Sequence, residues 1–329
     1  MVPSDRPALS VVVAIVSDTT GPAGSAHLAP CLAALSEQTA PGSIEIVVPH
    51  LPSTTGISVL REQFPAVRFA EVPDLRMSTG RSGSREHHDE LRARGLAIAR
   101  GDIVALIEDH GIPTPDWCRR IIESHRQPFA VVGGAIENGI DRPLNWAVYY
   151  CDFLRYQNPH QAGASAFASD ANVSYKRAAL ESIRPVWQEI FRESSVNDSL
   201  RSRGETVALA PEIVLHQHRL GLRLTSALKE RYVWGRSYAA ARIAWAGTGQ
   251  RVFWAALSPA LPALLLLRMT MLAFKKRRTF LHFLKALPLT AILLVSWACG
   301  EFMGYVTGRA NSDPAQTAEA IARGSHATS

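Results

Sequence analysis

The sequence holds no C-x-x-C pair. Its four cysteines, Cys31, Cys118, Cys151 and Cys299, are scattered, which excludes a zinc knuckle and a disulfide framework and fits a reducing compartment. Charge is scarce: Asp, Glu, Lys and Arg make up 19% of the chain against 47% hydrophobic residues. That balance excludes a disordered chain and suits a globular core with some membrane contact. Basic residues are not interleaved with aromatic ones in any repeated pattern, so no nucleic-acid partner is expected. Nor does an uncharged apolar run reach the ~20 residues that a membrane-crossing helix needs. Val252–Leu267 carries Pro259 and Pro262 and stops at Arg268, and Ala286–Gly300 stops at Glu301. The apolar run after Arg6 is short and β-branched, unlike that of a signal peptide, and predicts a first strand.

What is present reads as an α/β chain. The 329 residues suffice for one large domain or two modest ones, and the formal charge of +6 suits an anionic partner such as a nucleotide or a lipid surface. "LSVVVAIVS", "SIEIVVPH", "VRFAEVP" and "DIVALIE" read as buried strands, separated by helical spacing in "LAPCLAALSEQ" and "GISVLREQFP". That alternation predicts right-handed crossovers and a parallel sheet. A loop rich in arginine and small residues, from Arg76, enters a further helix. "TPDWCRRIIESH" predicts a helix capped by Thr114, "FAVVGGAIENG" a strand bent at Gly133–Gly134, and residues 141–165 an irregular aromatic stretch. "ESSVNDSLRSRG" has helical spacing, and "TVALAPEIVLHQHR" is a late strand.

The fourth strand ends on Glu108, Asp109 and His110, residues expensive to bury. Open parallel sheets bind ligands at the carboxyl ends of their strands. Extended alternation puts Glu108 and His110 on one side and Asp109 on the other. Carboxylate and imidazole at that spacing suit a divalent cation, which would neutralise a diphosphate; a polar loop end capped by hydrogen bonds is the plainer alternative.

The ordered set "LSVVVAIVS … LAPCLAALSEQTAP … IEIVV … RARGLAIARGDIVALIEDHGIPTPDW" resembles the nucleotide-sugar-binding half of the family-two glycosyltransferases. The resemblance runs from about Leu9 to Arg242 and implies the GT-A fold, a Rossmann-like mixed sheet, here with C-terminal membrane-associated helices. Glu108-Asp109-His110 stands in place of the family's Asp-x-Asp. It implies a nucleotide-sugar donor and a divalent cation, Mn2+ or Mg2+, with Glu108, His110 and His216 as metal ligands and His218 as an alternative. Asp109 and Arg92 would serve the donor phosphates, with Arg81 and Arg85 able to close over them. "SDANVSYKRAAL" resembles the acceptor-side segment and implies that Asn172 lines the site. Counting back from Gly204, the family's catalytic Asp falls on Glu193, so that the usual Glu-Asp pair becomes Arg192-Glu193, with Asp198 a rival. After the second strand the family's base- and ribose-binding Asp is replaced by Pro49 and His50, and Ser17 and Asp18 would take over part of that role.

An inverting transfer needs a base for the acceptor hydroxyl and positive charge on the leaving diphosphate. Glu193 is the expected base; a carboxylate favoured by a helix dipole is the structural alternative. A non-catalytic nucleotide-sugar-binding scaffold and a nucleotidyltransferase are the competing functions. Residues 1–218 are expected to form the catalytic domain, 219–249 a basic amphipathic interfacial helix, 250–308 membrane-associated helices and 309–329 a disordered tail. A lipid, lipid-linked glycan or polysaccharide acceptor at the inner membrane, with the catalytic domain cytoplasmic, fits that layout. One conflict stands: if the first apolar stretch spans, Lys275–Arg278 lands outside, against the positive-inside tendency. A re-entrant or interfacial first stretch would remove it.

Overall fold

The computed structural model describes residues 6–17, 25–73, 75, 85–243 and 246–308. Asp18, Arg81, the Arg85 side chain and the expected tail at 309–329 lie outside the described residues. The chain divides into two compact units, Met1–Asn145 with Asp152–Gly221, and Trp146–Cys151 with Leu222–Ser329. The interfacial and apolar segments expected to be separate regions thus share one unit, which also takes six residues from the middle of the chain.

The first unit is built on a nine-stranded mixed sheet. Its strands are β1 (Leu9–Ala14), β2 (Ile44–His50), β3 (Val67–Glu71), β4 (Ile103–Glu108), β5 (Gly111–Pro113), β6 (Val131–Asn138), β7 (Gly163–Ala164), β8 (Asn172–Lys176) and β9 (Val207–Gln217). They lie in the order β3-β2-β1-β4-β8-β6-β9-β5, with β7 also on β9. β1 to β4 are mutually parallel, β8 runs antiparallel to β4 and β6, and β6 is parallel to β9. The helices before the second unit's own run are α1 (Ser25–Ser36), α2 (Ile57–Gln63), α3 (Arg85–Ile98), α4 (Trp117–Ser124), α5 (Pro143–Phe153, of which Trp146–Cys151 belong to the second unit), α6 (Arg177–Ser182), α7 (Arg184–Trp187) and α8 (Glu193–Ser202).

From Val11 onward β1 reads as an unbroken apolar run because both faces of the sheet are covered. Val11 and Val13 pack with Leu28 and Leu32 of α1, while Val12 packs on the other face with Ala93 and Leu96 of α3. Two local expectations are corrected. Asp116, not Thr114, occupies the N-cap of α4, and the Thr114 hydroxyl instead donates to Asp116 at 3.1 Å. The stretch from 141 is not wholly irregular, since Pro143 opens α5 at a position where its missing N–H costs nothing.

β9 carries Pro211, which cannot donate to a sheet ladder. The register with β6 accordingly jumps from Gly134↔Ala210 to Ala135↔Val214. The Asn172 amide fills the gap, donating to the carbonyls of Ala135 at 2.8 Å and Ile213 at 3.0 Å.

At the amino-terminal edge of the sheet the buried Glu45 carboxylate takes the Ser10 hydroxyl at 2.6 Å and the Arg100 backbone N–H at 2.8 Å. Gly101 closes this network by donating its N–H to Ser10 Oγ at 2.7 Å. A Cβ on Gly101 would fall 2.5 Å from the Ser10 nitrogen, and backbone cannot swing aside as a side chain can.

The second unit is helical: α9 (Leu224–Arg242), α10 (Thr248–Leu257), α11 (Leu261–Lys276) and α12 (Phe280–Thr307). α9 and α12 meet backbone to backbone, and a Cβ on Gly300 would fall 2.1 Å from the Tyr232 carbonyl oxygen. Small residues at such a crossing are what lets two helices approach this closely. Thr248–Lys276 and Phe280–Thr307 are each long and apolar enough to cross a membrane. Only 6% of the first segment's apolar window is buried, so Val252, Phe253, Leu264, Leu267 and Phe274 face outward rather than into a core.

Replacing Gly101 with Ala is expected to destabilise the chain by about 1–3 kcal/mol through forced backbone displacement. Thermal or urea unfolding would reveal the loss, and an unchanged midpoint would show that the sheet edge absorbs the methyl.

Candidate active site

β1 and β4 end level, Ala14 lying opposite Glu108. The ladder runs one step further, because the Asp109 N–H donates to the Ala14 carbonyl at 2.9 Å. Strand geometry then stops, and Asp109 and His110 form a turn. The expected division of Glu108 and His110 from Asp109 therefore does not hold. The His110 ring lies between both acids, with Nε2 3.1 Å from Glu108 Oε2 and Nδ1 3.3 Å from Asp109 Oδ1.

Asp109 is fully buried. One of its oxygens accepts the Val16 N–H at 3.2 Å and the other a short hydrogen bond from the Ser17 hydroxyl. Ser17 and Asp109, both expected to serve the donor, are thus bonded to each other, and Asp109 anchors the loop that leaves β1. Glu108 is the partly exposed member. Arg92 donates to its Oε1 at 3.3 Å and the Gln217 amide to its Oε2 at 3.3 Å, beside His110.

Arg92, expected to serve the donor phosphates, is buried on α3 among three carboxylates: Asp89 at 3.1 Å, Asp170 at 3.2 Å and Glu108 at 3.3 Å. Glu193, the first residue of α8, is half-buried and accepts the Asp170 backbone N–H at 2.9 Å. An unbroken line of contacts therefore runs from Glu193 through Asp170 and Arg92 to Glu108 and His110. Asp198, the rival base, points to solvent, where it meets Arg201 at 3.4 Å.

Two further expected residues stand elsewhere. Asn172 is buried with its amide committed to the bulge, and its Oδ1 accepts the Trp117 indole N–H at 2.9 Å. Its amide and its Oδ1 are thus each engaged within the fold. His216 is not among the partners of Glu108; its neighbour Gln217 is, because successive strand residues face opposite ways. His218 binds His110 through the backbone, its N–H donating to the His110 carbonyl at 2.8 Å. The residues that sequence reasoning missed are Asp89, Asp170, Gln217 and His27, whose ring stands edge-on to His110 at 6.4 Å. Asp89 alone had a local signal, three residues before Arg92 on one helix face.

Burial works against charge on His110, but hydrogen bonds to Asp109 and Glu108 outweigh it and push its pKa up to about 9. Burial likewise opposes ionisation of Asp109, and the bonds from His110 and Ser17 overcome this to hold its pKa below the usual carboxylate value. Burial lowers His27 below the ordinary imidazole value. Burial also disfavours the Arg92 charge, yet Asp170, Asp89 and Glu108 more than offset it and secure the guanidinium.

A divalent cation at the strand end was expected from Glu108, His110 and His216. The residues do not fit one. Both nitrogens of His110 face carboxylates rather than a shared open centre, His216 is not with them, and the Glu108 oxygens already accept from Arg92, His110 and Gln217. Among the described residues, no group of three or more His, Cys, Asp or Glu is arranged to hold a metal ion.

Residues 25–184 match the family model described as Glycosyl transferase family 2. The chain carries a family-two glycosyltransferase domain, its mixed sheet is of the GT-A class, and its activity is that of a nucleotide-sugar glycosyltransferase. The match includes the whole of β4 and Arg92 but stops short of Glu193. No curated protein matches the chain. A solved structure with which it aligns is the mannosyltransferase PcManGT from Pyrobaculum calidifontis in complex with GDP-Man and Mn2+. Identity is 17%, coverage is 98% of this chain and 81% of that chain, and the TM-score is 0.45.

The raised His110 pKa fixes a pH dependence. A group whose folded pKa lies above its ordinary 6.5 stabilises fully below about pH 6.5, and the contribution drains away as pH rises through about 9. Thermal stability is expected to fall across that window in the wild type and to fall much less in His110→Gln. Parallel curves for the two proteins would place the titration elsewhere.

Proposed function

We propose that the chain is an inverting glycosyltransferase that moves a sugar from a nucleotide-sugar donor to an acceptor delivered at a membrane. That acceptor would be a lipid, a lipid-linked glycan or a polysaccharide. The single supporting observation is the line of contacts from Glu193 to Glu108 and His110. It sets a half-buried carboxylate on the same network as the carboxyl end of β4, where a parallel sheet receives its ligand. Glu193 takes the proton from the acceptor hydroxyl as that oxygen attacks the anomeric carbon, and the nucleoside diphosphate leaves from the opposite face of the sugar. The Mn2+ in the Pyrobaculum enzyme belongs to that protein, and no step here is routed through a metal.

The outward apolar faces of α10, α11 and α12 support the membrane part of this reading. Within the helical unit, Tyr150 donates to the Thr279 carbonyl at 2.9 Å. A re-entrant or interfacial first apolar stretch would leave Lys275–Arg278 on the cytoplasmic side of the inner membrane, in accord with the positive-inside tendency.

Glu193→Gln is expected to lower sugar transfer by about two to four decades, the usual worth of a general base, with nucleotide-sugar binding retained. Unchanged transfer would dismiss the base assignment and favour a binding scaffold. In a Cys299→Ser background, Lys275→Cys is expected to react with an impermeant maleimide in inverted inner-membrane vesicles and not in intact spheroplasts; the reverse pattern would refute the orientation.

A further inference from the structure

The strand end contains its own cations. Glu108 and Asp109 bring two negative charges to the carboxyl end of β4, and two positive side chains meet them there. Arg92 lies 3.3 Å from one Glu108 oxygen, and His110 reaches the other at 3.1 Å while holding Asp109 at 3.3 Å. Each ring nitrogen of His110 thus faces a carboxylate oxygen rather than open space. Val16, Ser17 and Gln217 donate to the same two carboxylates. A divalent cation between an acidic pair and a diphosphate works by joining two anions that would otherwise repel each other. In this chain the places beside the acidic pair are already taken by His110 and by Arg92, which Asp89 and Asp170 share.

We infer that the Glu108–Asp109 pair takes no divalent cation, and that Arg92 and His110 fill the charge-neutralising place at this strand end, so that nucleoside-diphosphate binding is independent of metal. The inference rests on the donor-site reading given under Proposed function. The residue that makes the difference is His110. A carboxylate in its place would add a negative charge, remove a positive one and leave Glu108 and residue 110 as two acids with a shared unmet need.

The test uses the full chain in detergent. Mn2+ alone is titrated first, followed by electron paramagnetic resonance and calorimetry. Wild type is expected to show no saturable Mn2+ site, whereas His110→Asp gains one. Binding of a panel of nucleoside diphosphates is then measured in EDTA and in Mn2+. The wild-type constants are expected to agree between the two conditions, and those of His110→Asp to differ by at least about tenfold, equivalent to 1.4 kcal/mol. A wild-type Mn2+ site that disappears in Glu108→Gln would overturn the inference, as would nucleotide binding abolished by EDTA and restored by Mn2+. If no nucleotide binds under either condition, the donor-site reading fails, while the Mn2+ titration still decides the question of the metal. Circular dichroism of His110→Asp separates misfolding from a changed site, and the wild-type measurements stand without that variant.

Discussion

The Arg92 guanidinium sits buried among Asp89, Asp170 and Glu108, and the arrangement of the site follows from how that one charge is met. A cation removed from water costs several kcal/mol unless its partners repay it. The three acids arrive from different places: α3 itself, the segment before β8, and the end of β4. Satisfying Arg92 therefore fixes the relative position of three elements far apart in sequence. Loss of any one partner leaves a buried charge less well matched, a change typically worth about 3–5 kcal/mol when a pair is broken outright. The strand end is thus a piece of the fold's charge balance as well as a place for a ligand.

The parallel half of the sheet was legible because burial on both faces writes continuous apolar runs, and β1, β2 and β4 all carry them. α5 was not. Its sequence "PLNWAVYYCDF" has no clean helical stripe, since its aromatic residues are sorted by tertiary contacts: Tyr150 packs on Phe283 and bonds to Thr279, more than a hundred residues away. The facing of His216 and Gln217 was hidden for a different reason. The bulge at Pro211–Ile213 interrupts the alternation of β9, and parity beyond a bulge cannot be counted from the strand's start. The family resemblance drew attention to Asn172 as a site residue, whereas its amide replaces ladder bonds that Pro211 cannot make. Glu108, Asp109 and His110 could be named from sequence, but their mutual bonding could not, because the turn that folds His110 back between the two acids breaks the extended pattern.

Charge inside the helical unit obeys the same rule as in the sheet unit. Glu301 lies buried in the apolar helix α12, and it accepts hydrogen bonds from the Trp297 indole and the Tyr305 hydroxyl, its neighbours one turn away on either side. An acid in such a helix persists only when local donors satisfy it. Two successive turns of a single helix supply both donors, so the acid is satisfied before any packing against another helix is considered. The outer faces of α10 and α11 carry large apolar side chains, in contrast to the satisfied acid in the interior.

Asp170 joins the two halves of the proposed chemistry through two different atoms. Its carboxylate holds Arg92, and its backbone N–H holds the Glu193 carboxylate. A backbone donor cannot be withdrawn by rotating a side chain, so the position of Glu193 is tied to the backbone of the segment whose carboxylate neutralises Arg92. Any shift of Arg92 toward an arriving diphosphate would pull on Asp170 and be felt by Glu193 within two contacts. Coupling of this kind needs no moving domain. It requires only that one residue spend its side chain on the proposed donor half and its backbone on the proposed acceptor half, and in this fold that residue stands two positions before β8, the strand that lies between β4 and β6.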